Sequence, residues 1–426
     1  MNTALPPSVF ESSRLAGLVA LLIGWAALAG CGQETRCADG ACPYGMRCET
    51  ASGLCVDVAS DTAGSAPVFA GRWSLLALDG ARIASVGYDV KRRSLVWAER
   101  DGNKVHQTLL AGLGAGDDGP AGEASSAVVD SAGRAHVVWL RRSDSSAWYG
   151  RVDGENFERS PLVLPGDLRP GERFALAIHA GEPVLAFVAA GGGGVRLGRR
   201  AAAGTWSVET VPPPPASPAG PPSIEGDLAI AADTGSVAVA WYDPVGGDLI
   251  VATRSASWQV SRIAGRHGAT GADDGDAGSP CQLARDTLGG LVVAWRDRSR
   301  NHVEWARSAG GNITRAIVTD GAYVDPALGV TRRDTVGTAL DAVMLANGRL
   351  AIAWQNASRS RIELAVQGAG GGLQRQELPN SGRIQLRPRL LARVDGGFWL
   401  GWLELEPALG GGRLVLWNGA GQAGGP

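Results

Sequence analysis

The chain has 426 residues, 45% of them hydrophobic and 62 of them glycine, with 40 basic against 42 acidic side chains for a net charge of −2. That length allows a large buried core, the glycine content suits a turn-rich all-β protein, and the balanced charge excludes the basic footprint of a nucleic-acid-binding surface. Of the basic residues only Lys91 and Lys104 are lysine, a bias that points to a GC-rich genome and says nothing of mechanism.

Residues 1–30 read as a targeting segment. Arg14 precedes an apolar run over 15–29, interrupted only by Gly17 and Gly24. The run is short for a membrane span and of the right length for a signal-peptide core. It ends in Leu28, Ala29, Gly30 and Cys31, which resembles the lipobox of bacterial lipoproteins. The resemblance implies that Cys31 is acylated and becomes the mature N-terminus. Gly32 rather than Asp follows it, which in that family favours the outer membrane of the bacterial cell envelope, on its periplasmic side or at the surface, over inner-membrane retention.

Cys37, Cys42, Cys48 and Cys55 follow closely. A dense, even set of cysteines after an export signal implies a disulfide framework, since so short a segment cannot build a core. A zinc site is disfavoured because no C-x-x-C pair is present. The pattern resembles small Cys-rich modules near the N-terminus of exported proteins of predatory and soil bacteria. Of the three possible connectivities, Cys37 with Cys48 and Cys42 with Cys55 is preferred. The module is assigned to 31–56, a small, polar linker to 57–66, the main domain to 67–418 and a tail to 419–426.

The main domain repeats. LVVAWRD, ending at Asp297, has counterparts whose aromatic anchors are Trp97, Trp139, Phe187, Trp241, Trp295, Trp354 and Trp402, spaced 42, 48, 54, 54, 59 and 48 residues apart. Six residues before the anchor stands Gly133, Gly181, Gly235, Gly289, Gly348 or Gly396, with Lys91 the exception in the first copy. Such a glycine between apolar runs predicts a tight hairpin between a first and a second strand. Two more runs follow each anchor, so the expected fold class is all-β, a seven-bladed β-propeller of four-stranded antiparallel blades. The last repeat lacks a fourth strand, whereas 73–78 (WSLLAL) precedes the first. That segment is expected to pair with 414–417, so that an N-terminal strand closes the last blade. Cys281 falls on a first strand and reads as a buried, inert thiol.

Two residues after the anchors stand Glu99, Arg141, Asp243, Asp297, Asn356 and Glu404, with Arg296 beside Asp297. Side chains two apart share a strand face, so these residues are candidates for a ligand-binding ring at the channel mouth, where long loops gather on one face. The plainer alternative is that they cap the following turns. Asp273, Asp274 and Asp276 could donate oxygens to Ca²⁺, a solvated acidic turn being the plainer reading; no other cofactor is expected. No nucleophile elbow, zinc-protease or P-loop motif occurs, and no catalytic residue is assigned.

In repeat length, in the aromatic ending strand two and in the small-residue turn before strand four (AAAGTW, SASW, SAGGNI), residues 67–418 resemble sialidase-like (BNR-type) propellers. The turns lack the Asp of that family's box, and no Tyr–Glu pair or Arg triad can be placed. The expected function is therefore a lipid-anchored, non-catalytic module that binds a protein or a glycan through its long-loop face. The alternative is an exported glycoside hydrolase or lyase using carboxylates at the propeller mouth.

Overall fold

The structure is a computed structural model that describes residues 46–49, 54–57 and 67–419, except 80–81, 102–103, 215–223, 267–274, 287–288, 310–311, 326–327, 377 and 380. The targeting segment, Cys31, Cys37, Cys42, Asp273 and Asp274 lie outside the described residues. Contacts divide the chain into two compact units, Met1–Thr62 and Ala63–Pro426. In the first, Met46–Glu49 and Leu54–Asp57 form an antiparallel hairpin whose register sets Cys48 opposite Cys55. No helix among the described residues is long and apolar enough to cross a membrane.

The second unit is all-β, and its described residues form five four-stranded antiparallel sheets, a seven-stranded sheet and one further hairpin. The four-stranded sheets are repeats 2 to 6, with first strands Ala121–Val129, Pro170–His179, Glu225–Ala232, Ala277–Arg285 and Val336–Met344. The seven-stranded sheet joins Gln385–Ala392, Phe398–Glu406 and Gly411–Gly419 (repeat 7) to Val68–Ala77, Ile83–Asp89, Ser94–Asp101 and Lys104–Gly112 (repeat 1). Each first strand contacts the next in order, and Gln385–Ala392 contacts Val68–Ala77.

Two expectations are corrected here. Residues 73–78 do not pair with 414–417. Leu75 and Leu76 pair with Ser85 and Ala84 as the first strand of repeat 1. The link to the C-terminal strand is made earlier, by Val68 opposite Arg413 and Phe69 opposite Gly412. Trp97 is not the first anchor either. It lies on the third strand of repeat 1, opposite Val86 and Thr108. The position matching Trp139 is Gly87, which faces Trp73. The interval from 87 to 139 is 52 residues, which makes the period more even. Lys91 ceases to be an exception, because it belongs to the turn after the second strand, where its amide bonds Asp89.

The core lies between adjacent sheets. Trp139 packs on Leu76, Val86 and Leu95 of repeat 1, Trp241 on Ala186 and Leu197 of repeat 3, and Trp354 on Val292 and Trp305 of repeat 5. Each of these tryptophans is at most 2% exposed, so truncating one costs about 3–5 kcal/mol. At the far end of the first strands four of the six predicted hairpin glycines share one left-handed geometry: Gly133 at φ +79°, Gly289 at +79°, Gly348 at +77° and Gly396 at +81°. Each closes a three-residue loop, as where the Asp130 amide bonds the Arg134 carbonyl at 2.9 Å.

Candidate binding site

Where the first strands meet, alternate side chains line a cavity of about 200 Å³, among them Ser74, Ser126, Ala175, Gln282, Asp341 and Arg389. These positions are equivalent, and three of them stitch a repeat to the next. The Ser74 hydroxyl accepts the Ala127 amide at 3.1 Å, the Ser126 hydroxyl the Leu176 amide at 3.0 Å, and Asp341 Oδ2 the Leu390 amide at 2.7 Å. Asp341 Oδ1 also accepts the Ala342 amide at 3.0 Å. Burial pushes the Asp341 carboxyl above the usual aspartate range, against the pull of Arg389 and the two amides. Arg389 Nε donates to the Trp73 carbonyl at 2.9 Å, across the junction of the two chain ends.

Above this wall the first strands start with a β-bulge in all seven repeats, for example between Ala70 and Trp73, Pro170 and Phe174, and Leu386 and Arg389. A bulge bends the strand and re-aims its side chains. Gly71 takes φ +69° here, and a Cβ on it would come within 2.4 Å of the Glu123 carbonyl oxygen. Arg387 adopts φ +50° without being glycine, a conformation that surrounding contacts have to hold. Trp73 Nε1 donates to the Arg387 carbonyl at 3.2 Å, and the Arg387 guanidinium donates to the Gly71 carbonyl.

The result is a mouth of about 640 Å³ lined by Arg72, Glu172, Arg173, Gln282, Arg387 and Arg389 among others. Its arginines are oriented by main-chain oxygens: Arg72 Nη1 donates to the Phe174 carbonyl at 2.8 Å, and Arg173 to the Ile224 carbonyl. Glu123 is held by Arg142 Nη1 at 2.7 and 2.8 Å. A second cavity of about 630 Å³ adjoins the mouth and shares Gly71, Glu123, Ala124 and Glu172 with it. Its walls include Tyr88, Val90, Pro120, Leu140, Pro170 and Ala190. Tyr88 is only 7% exposed; burial, then Glu123, raises its phenol above the usual value.

Several residues chosen from the sequence stand elsewhere. Asp243, Asp297 and Asn356 are buried at the ends of second strands. Their side-chain oxygens accept the amides of Val245 at 3.1 Å, Arg300 at 2.8 Å and Arg359 at 3.1 Å, the geometry of turn caps. Burial raises the Asp297 carboxyl above its usual range. Glu404 is half-buried opposite Gln385 and Arg413. Arg296 is half-buried and bonds Asn301 at 3.4 Å; burial, then Arg298, lowers its pKa. Arg141 lines the second cavity, pairs with Asp144 and lies over the Trp148 ring at 5.1 Å. Glu99 is a correction: it is on a third strand, and it binds Arg82 at 2.9 Å near the hairpin end. Asp276 accepts the Tyr242 hydroxyl at 2.5 Å, and no group of three or more acidic, His or Cys side chains among the described residues is placed to hold a metal.

The sequence reading missed Arg72, Arg173, Asp341, Arg387 and Arg389 because it searched second strands for a site that first strands build. It was also off by one residue. Gln355, next to the Asn356 cap, lines the mouth, as strand alternation requires.

No protein-family model matches the sequence, and no curated protein matches it. Several solved structures are similar over most of the chain. A streptogramin B lyase is 13% identical over 82% of this chain and 94% of its own, with a TM-score of 0.47. A fucose-specific lectin from Aleuria aurantia is 14% identical over 74% and 99%, with a TM-score of 0.44. A Hadza microbial sialidase is 13% identical over 67% and 63%, with a TM-score of 0.42. At such identities and scores a likeness assigns no activity.

Proposed function

We propose that the chain is an exported lipoprotein, acylated at Cys31 and held at the outer membrane, whose main domain is a seven-bladed β-propeller with its last blade completed by N-terminal residues. In this reading the propeller is a non-catalytic module that binds a protein or a glycan at its mouth. The observation that carries it is the mouth itself. Bulged first strands from several repeats converge on one solvent-open cavity whose arginines are already oriented by main-chain oxygens, and pre-oriented polar groups in a concavity are what a binding site needs.

The carboxylates at the mouth favour binding over hydrolysis. A glycosidase needs two carboxyls facing each other across a substrate gap. Of the two glutamates that line the mouth, Glu123 is committed to Arg142, which leaves Glu172 alone.

Three experiments test the reading. Cys31→Ala should release the protein from membranes after a high-salt wash, and membrane retention would refute the anchor. The full chain in detergent, presented to glycan arrays and to protein extracts, should retain a ligand without turning it over; release of a cleaved glycan would replace the binding module with an enzyme. Mass spectrometry of the non-reduced chain should find two disulfides among Cys37, Cys42, Cys48 and Cys55, and it separates the preferred connectivity from a Cys48–Cys55 bridge.

A further inference from the structure

The whole chain carries a net charge of −2, yet its mouth is basic. Four arginines, Arg72, Arg173, Arg387 and Arg389, line the cavity against two glutamates, Glu123 and Glu172. One of those glutamates is already paired with Arg142. A concave, low-dielectric wall focuses such a charge excess outward, toward an incoming anion. Each guanidinium offers five donors in a rigid plane matched to a carboxylate, and Arg72, Arg173 and Arg389 each use a donor on a main-chain oxygen that fixes that plane.

The adjoining cavity decides what carries the anion. In its walls Val90, Leu140, four alanines and two prolines stand beside Arg141, Arg142, Glu123 and Glu172, and its one aromatic ring, that of Tyr88, is buried. The residues lining this pocket thus present no open aromatic face on which a sugar ring could stack. The apolar part of that pocket, formed by Val90, Pro120, Leu140 and Pro170, fits an apolar side chain. We propose that the mouth receives an acidic segment of a partner protein, its carboxylates meeting the arginines of the mouth and a neighbouring Leu- or Val-sized side chain entering the pocket beside Leu140. This rests on the binding-module reading and names its partner.

The test uses the full chain in detergent against arrayed synthetic peptides that alternate Asp or Glu with Leu or Val, with polygalacturonate and heparin as the glycan arms. The peptides should bind, and binding should weaken as salt is raised from about 0.05 M to about 0.5 M. Arg173→Gln combined with Arg387→Asn should lower affinity by about tenfold or more; asparagine is used because it tolerates the left-handed backbone at that position. Glu172→Gln, at an exposed site, should tighten binding, a gain that misfolding cannot mimic. Peptide binding indifferent to these substitutions, or no peptide binding, overturns the proposal. Capture of the polyanionic glycans through the same arginines, with peptides ignored, overturns it and leaves the binding module standing. Cleavage of either glycan brings down the binding module as well.

Discussion

Repeats 1 and 2 solve one packing problem with the bulky residue on opposite strands. In repeat 2 the second strand supplies Trp139 and the first strand answers with Ser125. Repeat 5 does likewise with Trp295 and Cys281. In repeat 1 the first strand supplies Trp73 and the second answers with Gly87. In these three repeats a large residue on one strand stands opposite a small one, so that the pair fills the space between sheets once; repeats 3 and 6 set Phe174 opposite Phe187 and Leu340 opposite Trp354 instead. A Cβ on Gly87 would sit 2.9 Å from both Phe69 Cδ1 and Trp73 Cβ. The bulky member of the pair can thus stand on either strand, and a single recurring letter is a poor guide to it.

The largest expected effect tests that complementarity. Trp73→Ala should lower stability by about 3–5 kcal/mol, read from the midpoint of chemical denaturation. Gly87→Trp alone should also destabilise, because it overfills a packed site. Combined, the two changes rebuild the arrangement of repeat 2 and should recover part of the loss. A double variant no more stable than the sum of the single losses would break the comparison.

A smaller effect sharpens it at the wall position, where repeats 1, 2 and 6 place a side-chain acceptor and repeat 3 places Ala175. Asp341→Ala strands the amides of Leu390 and Ala342 and should cost about 1–3 kcal/mol. Ser126→Ala removes one acceptor and should cost about 1 kcal/mol. The charge of Asp341 adds a pH dependence. Its folded pKa is raised, so its contribution is complete below the usual value of 3.8 and is lost as pH rises through the folded value. Asp341→Asn keeps one acceptor and loses the charge. Stability of the wild type relative to Asp341→Asn should therefore fall as pH climbs from the ordinary aspartate range, and a constant difference would show that the carboxyl titrates as it does when unfolded.

The repeat was legible in the sequence because hairpin glycines and buried aromatics recur at a nearly fixed interval. Strands two to four of repeats 2 to 6 follow from those marks. Repeat 1 was misread because its aromatic had changed strands, and Trp97, on the third strand, stood near enough to the expected interval to be taken for the anchor. The 52-residue interval to Gly87 was available, but glycine does not advertise a core position. The candidate site was harder still. Arg72, Arg173 and Arg387 fall inside β-bulges, where strand alternation is broken, and Arg389 follows one. The turn caps Asp243, Asp297 and Asn356 do have a common spacing, since the second strands of repeats 4, 5 and 6 end in the same turn. Regularity marked the scaffold, and the mouth lies where regularity stops.

The smallest effect separates two hairpin glycines that the sequence treats as equivalents. Gly181 and Gly235 both stand six residues before their anchors. In repeat 3 the loop consists of Ala180 at φ +51° and Gly181 at φ +85°, both residues left-handed, as a type I′ turn requires. A Cβ on Gly181 would meet nothing within 4 Å, so Gly181→Ala is opposed by backbone strain alone, about 1 kcal/mol. In repeat 4 the Asp233 amide bonds the Ser236 carbonyl, so the loop is one residue shorter than that of repeat 2. Asp233 Oδ1 accepts the amides of both Gly235 and Ser236 at 2.7 Å. Gly235 is not among the left-handed residues, and its nearest neighbour to an added Cβ is Asp233 Oδ1 at 3.6 Å. Gly235→Ala should therefore be neutral or stabilise by up to about 1 kcal/mol, through the lower entropy of the unfolded chain. Matched thermal melts decide it. Equal losses at the two sites would mean that the glycine is kept for its place in the repeat, whereas opposite signs would mean that each hairpin is held by its own loop length and its own aspartate.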